Sequence, residues 1–339
     1  MDRWDIADRR RLLKAGLFAL GADMFALRAN ADERKSPGEF TVVGRGELLK
    51  GLDGMSRVTD EGNNPFGSAH NAAAVMSAAF FCREQKIDRE TQKAILEVME
   101  KRLLTSRIYA ARPEEKAAPD LVDELVKDLD VGIAGLKQSG HNIIFSVISL
   151  KALREVPEAI TPERMNGLRR MVRSFGTTRV DVDGAKPRDG FADLSDEKKF
   201  ICFILEEYLK AIDLYLNGKG HHGYAGHVLT IGHSLVELHR MGYNDTAEKG
   251  VHAYWQFVRL ARGGANLGGK KLGAAPKEAP TPLVHDYWAE HAKQKTGEVV
   301  SSHLIKYPYS FYSLANEVWD DVDIKQRIFE KLYFLTAVS

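Results

Sequence analysis

Apolar and polar positions divide this 339-residue chain into two kinds of segment. Four segments, Ala72–Cys82, Ile143–Leu153, Tyr224–Leu238 and Leu304–Leu314, are apolar or small at nearly every position. A helix that is hydrophobic all round must be covered all round. The segments between them are amphipathic. In Arg89–Leu103 the residues Ile95, Met99 and Leu103 recur at four-residue spacing among charges, which predicts a helix with one buried face. Pro119–Leu136, Thr161–Phe175, Ser195–Leu216 and Asp323–Leu335 read the same way. Thr161-Pro162-Glu163 and Ser195-Asp196-Glu197 supply capping chemistry at two of the starts. The apolar segments begin near residues 70, 141, 221 and 303, at intervals of 71, 80 and 82 residues. The expected fold is all-α: an α/α-toroid-like array of inner apolar helices jacketed by outer amphipathic ones, since no unit buries its apolar face alone.

Residues 68–339 are expected to form one helical domain, preceded by an irregular lead-in at 32–67 that ends in "EGNNPFG". The one strand signal is Thr177–Gly184, "TTRVDVDG", which predicts at most a small hairpin turning at Asp183-Gly184. Gly263–Pro282, rich in Gly, Lys and Pro, reads as a long surface loop. Residues 1–31 are of another kind. Arg9-Arg10 stand before Arg11, two leucines and Lys14, and a weakly apolar stretch runs on to Ala29-Asn30-Ala31. This resembles a twin-arginine export signal with a small-x-small cleavage site. It implies the twin-arginine machinery as a partner and a periplasmic or extracellular mature protein. The apolar stretch is too short to span a membrane, and Asp23 interrupts it, so no transmembrane anchor is expected.

Composition narrows the function. The apolar fraction of 44% and charged fraction of 28% are those of a globular protein. A net charge of +1, with no basic stripe interleaved with aromatics, argues against nucleic-acid binding. Cys82 and Cys202 lie in apolar helical patterns without zinc or redox spacing and read as buried thiols. Gly264, Gly269 and Lys270 approach a phosphate-binding loop, but Lys271 stands where Ser or Thr is needed and a helix precedes the segment.

The informative residues are histidines. His70, His141, the pair His221-His222 and His303 each stand at or near the start of an apolar segment, after small residues. If the inner helices are parallel, these side chains converge at one end. Ser68 and Ser139 are expected to cap their helices. A helix N-terminus disfavours positive charge, so the rings should stay neutral, as a metal ligand, general base or hydrogen-bond donor requires. His227, one turn further on, is a further pocket candidate. His233 and His239 follow at six-residue spacing and so lie on other faces. Lys306, one turn from His303, shares its face, and Tyr307 begins an aromatic run, "YPYSFY", in which Pro308 implies a first-turn position or a kink. Tyr224 and Trp255 would supply apolar walls. Catalytic candidates are thus His70, His141, His303, Lys306 and Tyr307, and substrate-binding candidates are His222, His227, Tyr224 and Trp255. A transition metal, if bound, would fall to His70, His141, His222 and His303.

In three windows, "SAHNAAAVMSAAFF", "HHGYAGHVLTIGHSLVEL" and "SHLIKYPYSFYSL", the chain resembles the questin-oxidase-like family, whose members are all-helical. That resemblance implies oxidation of an aromatic or polyketide-like ketone without a separate cofactor-binding domain. The expected function is an exported oxidoreductase acting on an apolar or aromatic small molecule in a histidine-lined pocket. The alternatives are a non-catalytic helical protein that binds a ligand or partner, and a histidine-ligated metalloenzyme.

Overall fold

The computed structural model describes residues 42–60, 65–174, 191–263, 280–293, 298–318, 320 and 322–336. The leader at 1–31, the hairpin expected at 177–184 and residues 264–279 of the long loop lie outside the described residues. Among the described residues there are twelve α-helices, three short 3-10 turns and no strand, so the chain is all-α. In order the helices are α1 (Arg45–Met55), α2 (Pro65–Glu84), α3 (Arg89–Arg102), α4 (Leu121–Ile133), α5 (His141–Glu155) and α6 (Pro162–Ser174). They continue with α7 (Glu197–Leu216), α8 (His222–Arg240), α9 (Asn244–Gly263), α10 (His285–Lys293), α11 (Glu298–Ala315) and α12 (Val322–Thr336). No helix among the described residues is long and apolar enough to cross a membrane.

The four apolar segments are the cores of α2, α5, α8 and α11. Every residue from Ala69 to Cys82 in α2, and from Ala225 to Val236 in α8, is buried. Their burial is mutual: α2 packs on α5, α5 on α8, α8 on α11 and α11 on α2. Amphipathic helices cover them from outside, with α1 on α2, and α7 and α9 on α8. Further out, α10 lies on α3, α4 on α6 and α12 on α7. These contacts carry the inner-and-outer layering that the pattern predicts.

All four inner helices run the same way. Residues early in each (His70, His141, His227 and His303) meet at one end. Residues late in each (Glu84, Lys151, Glu237 and Tyr309) meet at the other. Parallel neighbours cannot be joined by a short turn, so the chain returns through outer helices between one inner helix and the next. That return is why the inner segments recur only every 71 to 82 residues.

Three expectations need correction. The lead-in is not irregular throughout, because Arg45–Met55 is helical and the compact unit begins at Val42. Its glycines read as loop signals, but one of them serves close packing. A Cβ at Gly51 would sit 2.4 Å from Met76 Cγ and 3.1 Å from the Ala72 carbonyl oxygen. Second, α2 and α11 start earlier than the apolar runs, at Pro65 and Glu298, so His70 and His303 lie more than a turn inside their helices. Pro308 is correspondingly interior to α11. Third, neither serine caps. Ser68 is inside α2, and the N-cap of α5 is Gly140, with no side-chain cap.

The α1–α2 contact yields a paired test. Gly51→Ala should destabilise the protein by about 1–3 kcal/mol through overpacking. Gly46→Ala, which meets nothing within 4 Å, should be neutral or stabilise by up to about 1 kcal/mol through helix propensity. Urea denaturation of both variants checks this, and equal midpoints would contradict the close-packing role.

Candidate functional site

Where the early turns of the inner helices meet, they enclose a pocket of about 580 Å³. From α2 come His70 and Phe66, one turn apart on the same face; from α5 comes His141. From α8 come His222, Tyr224 and His227, and from α11 His303. The turn before α5 adds Gln138 and Ser139, and His221 and Gly223 complete the mouth. The rings touch one another: His70 and His141 centroids are 4.5 Å apart, His141 and His227 4.6 Å, and His70 and His303 5.1 Å. His222 stands further out, 6.4 Å from His303. Phe66 packs edge-on against both His70 and His141.

The turn Gln138-Ser139-Gly140 positions two of these rings. All three residues have positive φ, 46°, 58° and 88°, a conformation that costs free energy for the two that are not glycine. At Gly140 a Cβ would also lie 2.5 Å from Ile231 Cδ1. The carbonyls of this left-handed turn face the rings. His141 Nδ1–H donates to the Gln138 carbonyl, and a ring N–H of His227 donates to the Ser139 carbonyl. A carbonyl only accepts, so Nδ1 of His141 carries the proton and its Nε2 keeps a free lone pair. That Nε2 is buried and has no hydrogen-bond partner among the described residues. The same holds for Nε2 of His70 and for both ring nitrogens of His303.

Burial keeps the rings neutral. His70, His141 and His303 are held well below the usual histidine range, first by desolvation and then by neighbouring Lys306 and other imidazoles. His227 is pushed down to about 3, again mainly by burial. The expectation of neutral rings thus rests on a different cause from the helix terminus, because His70 and His303 are not at one.

Lys306 lies behind this layer. Its Nζ is 2.5 Å from His70 Nδ1 and 5.3 Å from the Phe145 ring centre. No carboxylate among the described residues pairs with it, and burial alone pushes the amine well below the usual lysine range. Tyr307 is fully buried and stacks on His303 at 4.4 Å, packed against Gly226; it supports that ring and is not part of the pocket wall. Trp255 is not part of it either: its indole N–H donates to the Ala192 carbonyl and its ring packs on Phe191. Tyr224 does line the pocket.

The far end of the inner helices holds a second polar cluster. Lys151 Nζ lies 2.8 Å from Glu84, from Glu237 and from the Tyr309 hydroxyl. Burial lowers this lysine's pKa, but Tyr309, Glu237 and Glu84 more than reverse that, so it stays charged. His233 belongs here, with Nδ1 3.1 Å from Ser310 Oγ. His239 is half-buried in the last turn of α8. Cys82 is a buried thiol pushed up to about 12 by burial and Glu47, and so inert, whereas Cys202 is half-buried.

The sequence reading missed Phe66, Gln138, Ser139 and the Lys151 cluster. Phe66 was recoverable from its four-residue offset from His70, once the helix is known to start at Pro65. The turn and the cluster left no local signal. No family model, curated protein or solved structure matches this chain.

The neutral rings make stability depend on pH with a definite sign. A base whose folded pKa lies below its unfolded value of about 6.5 binds more protons unfolded than folded in acid. The stabilisation is complete above about pH 7.5 and is lost as pH falls below 6.5, by about 1.4 kcal/mol per ring at pH 5.5. Lys306 has the same sign and extends the gain up to about pH 10. Guanidinium unfolding should give a clearly lower stability at pH 5.5 than at 7.5, and equal values would show that the rings accept protons when folded.

Proposed function

We propose that the histidine pocket is the reaction site of an enzyme, an oxidoreductase acting on an uncharged apolar or aromatic small molecule. One observation carries the reading: the pocket presents several buried, neutral imidazoles with unpaired nitrogens, and among the described residues its wall includes no Lys, Arg, Asp or Glu. An ionic substrate would meet no counter-charge there. A flat apolar molecule would meet Phe66, Tyr224 and imidazole faces, and its carbonyl or hydroxyl would meet ring nitrogens able to donate or accept a proton. The volume of about 580 Å³ suits a drug-sized ligand. The oxidative class comes from the resemblance of the histidine-bearing windows to the questin-oxidase-like family. None of these side chains accepts an electron pair, so an oxidation here draws on dioxygen or a redox metal. The same reading takes residues 1–31 as an export leader, which places the chemistry outside the cytoplasm.

A second reading is that His70, His141, His227 and His303 hold a transition metal. Imidazoles sharing one ion, at nitrogen–metal distances of about 2.0–2.1 Å, have ring centres roughly 4.5–5.5 Å apart. The measured spacings of 4.5, 4.6 and 5.1 Å fall in that range. Neutral imidazole suits iron, copper and zinc. Among the described residues no three or more His, Cys, Asp or Glu side chains already point at a common centre, so the rings would have to turn to ligate. His227 replaces His222 in this set because His222 stands too far out. A metal there would supply Lewis acidity or electron transfer.

Substitution separates chemistry from binding. Against a panel of aromatic ketones and phenols, with oxygen uptake as the readout, His141→Ala and His303→Ala should each lower turnover by about 10²–10⁴-fold. Ligand affinity, read by fluorescence titration, should be largely retained. Loss of affinity with no turnover in the parent protein would instead establish a non-catalytic binding protein. Elemental analysis tests the metal: near-stoichiometric iron, copper or zinc that is lost in folded His70→Ala supports it, and a metal-free, active protein rejects it.

A further inference from the structure

Between the two polar clusters lies a small cavity of about 20 Å³ lined by the inner helices. Lys306 lines it from the pocket side, and Lys151, His233, Glu237, Thr230 and Ser310 line it from the other. We propose that this cavity binds one ordered water, which bridges Lys306 to His233 and Ser310 and joins the two clusters into a single buried hydrogen-bonded column.

The space is sufficient, since one water requires about 10–15 Å³ measured this way. The polar accounting calls for it. His233 uses Nδ1 on Ser310, while its Nε2 is buried with no hydrogen-bond partner among the described residues. The nearest carboxylate oxygen, on Glu237, is 3.7 Å away, too far for a direct hydrogen bond, so this nitrogen calls for another partner. Lys306 carries two or three N–H groups, is only 4% exposed, and among the described residues is hydrogen-bonded through the contact to His70 alone. Thr230 and Ser310 hydroxyls each retain acceptor capacity. The competing state is a dry cavity, favoured by Ala73, Ile144, Val147 and Ile148 on its walls. Leaving His233 Nε2 unsatisfied costs more than immobilising one water, so the hydrated state is the stable one.

The column then runs from His70 through Lys306 and the water to His233 and Ser310, and Glu237, 3.7 Å beyond His233 Nε2, belongs to the ion-paired cluster with Lys151 and Glu84. His233 and Ser310 become positioning residues: they touch nothing in the pocket, yet they orient the amine that holds His70.

A high-resolution crystal structure of the full chain, with and without xenon pressurisation, tests this. The expected result is one water peak within hydrogen-bond distance of Lys306 Nζ and of His233 Nε2 or Ser310 Oγ, with no xenon at the site. A cavity without density, or one that takes up xenon, overturns the proposal. Nitrogen NMR of the His70 ring supplies the second arm. His233→Gln, which keeps an amide N–H and oxygen near the water, should leave the His70 signals close to wild type, whereas His233→Leu should shift them. Unchanged signals in folded His233→Leu would remove the positioning role. If that variant fails to fold, the wild-type crystals decide alone.

Discussion

A helix that is apolar on every side cannot lie at a surface, and four such helices in one chain can be satisfied chiefly by one another. That constraint organises this protein. α2, α5, α8 and α11 pack in a closed order of neighbours, and the amphipathic helices serve as their cover. Because the four run parallel, whatever polar residue stands early in one is brought against its counterparts in the others. The histidines meet for that reason, and so do Glu84, Lys151, Glu237 and Tyr309 at the opposite end.

The two buried lysines show how burial and partners together set chemistry. Both are removed from water, which disfavours the ammonium. Lys151 has two carboxylates and a phenol within hydrogen-bond distance, and their attraction in a poorly screened interior outweighs the desolvation. Lys306 has an imidazole, an aromatic ring and no carboxylate partner among the described residues, so desolvation prevails. One end of the inner helices is therefore a locked ionic cluster. The other is a set of neutral bases around an open volume.

How far the site was legible can be judged from particular residues. His70, His141, His222 and His303 were identifiable because histidine recurs near the start of each apolar run, and His227 because it follows one turn later; the pocket contains all five. Trp255 was misplaced because an aromatic residue near a candidate site carries no directional information; its indole faces Ala192 and Phe191 instead. Ser139 reads as a cap, but it sits at positive φ in a turn whose carbonyls serve His141 and His227. Helix α1 was hidden because Gly46, Gly51 and Gly54 look like loop residues unless the neighbouring helix is known.

The sequence by itself determined the all-α class, the alternation of inner and outer helices and the residue type at the site, because hydrophobic periodicity and composition are local properties. Tertiary structure decided which end of each inner helix meets which, why the rings are neutral, and that Lys306 lacks an acid partner among the described residues while Lys151 has two. Each of those depends on contacts between residues some 70 to 230 positions apart. Desolvation and charge pairing are properties of such assembled surroundings, and no stretch of sequence contains them.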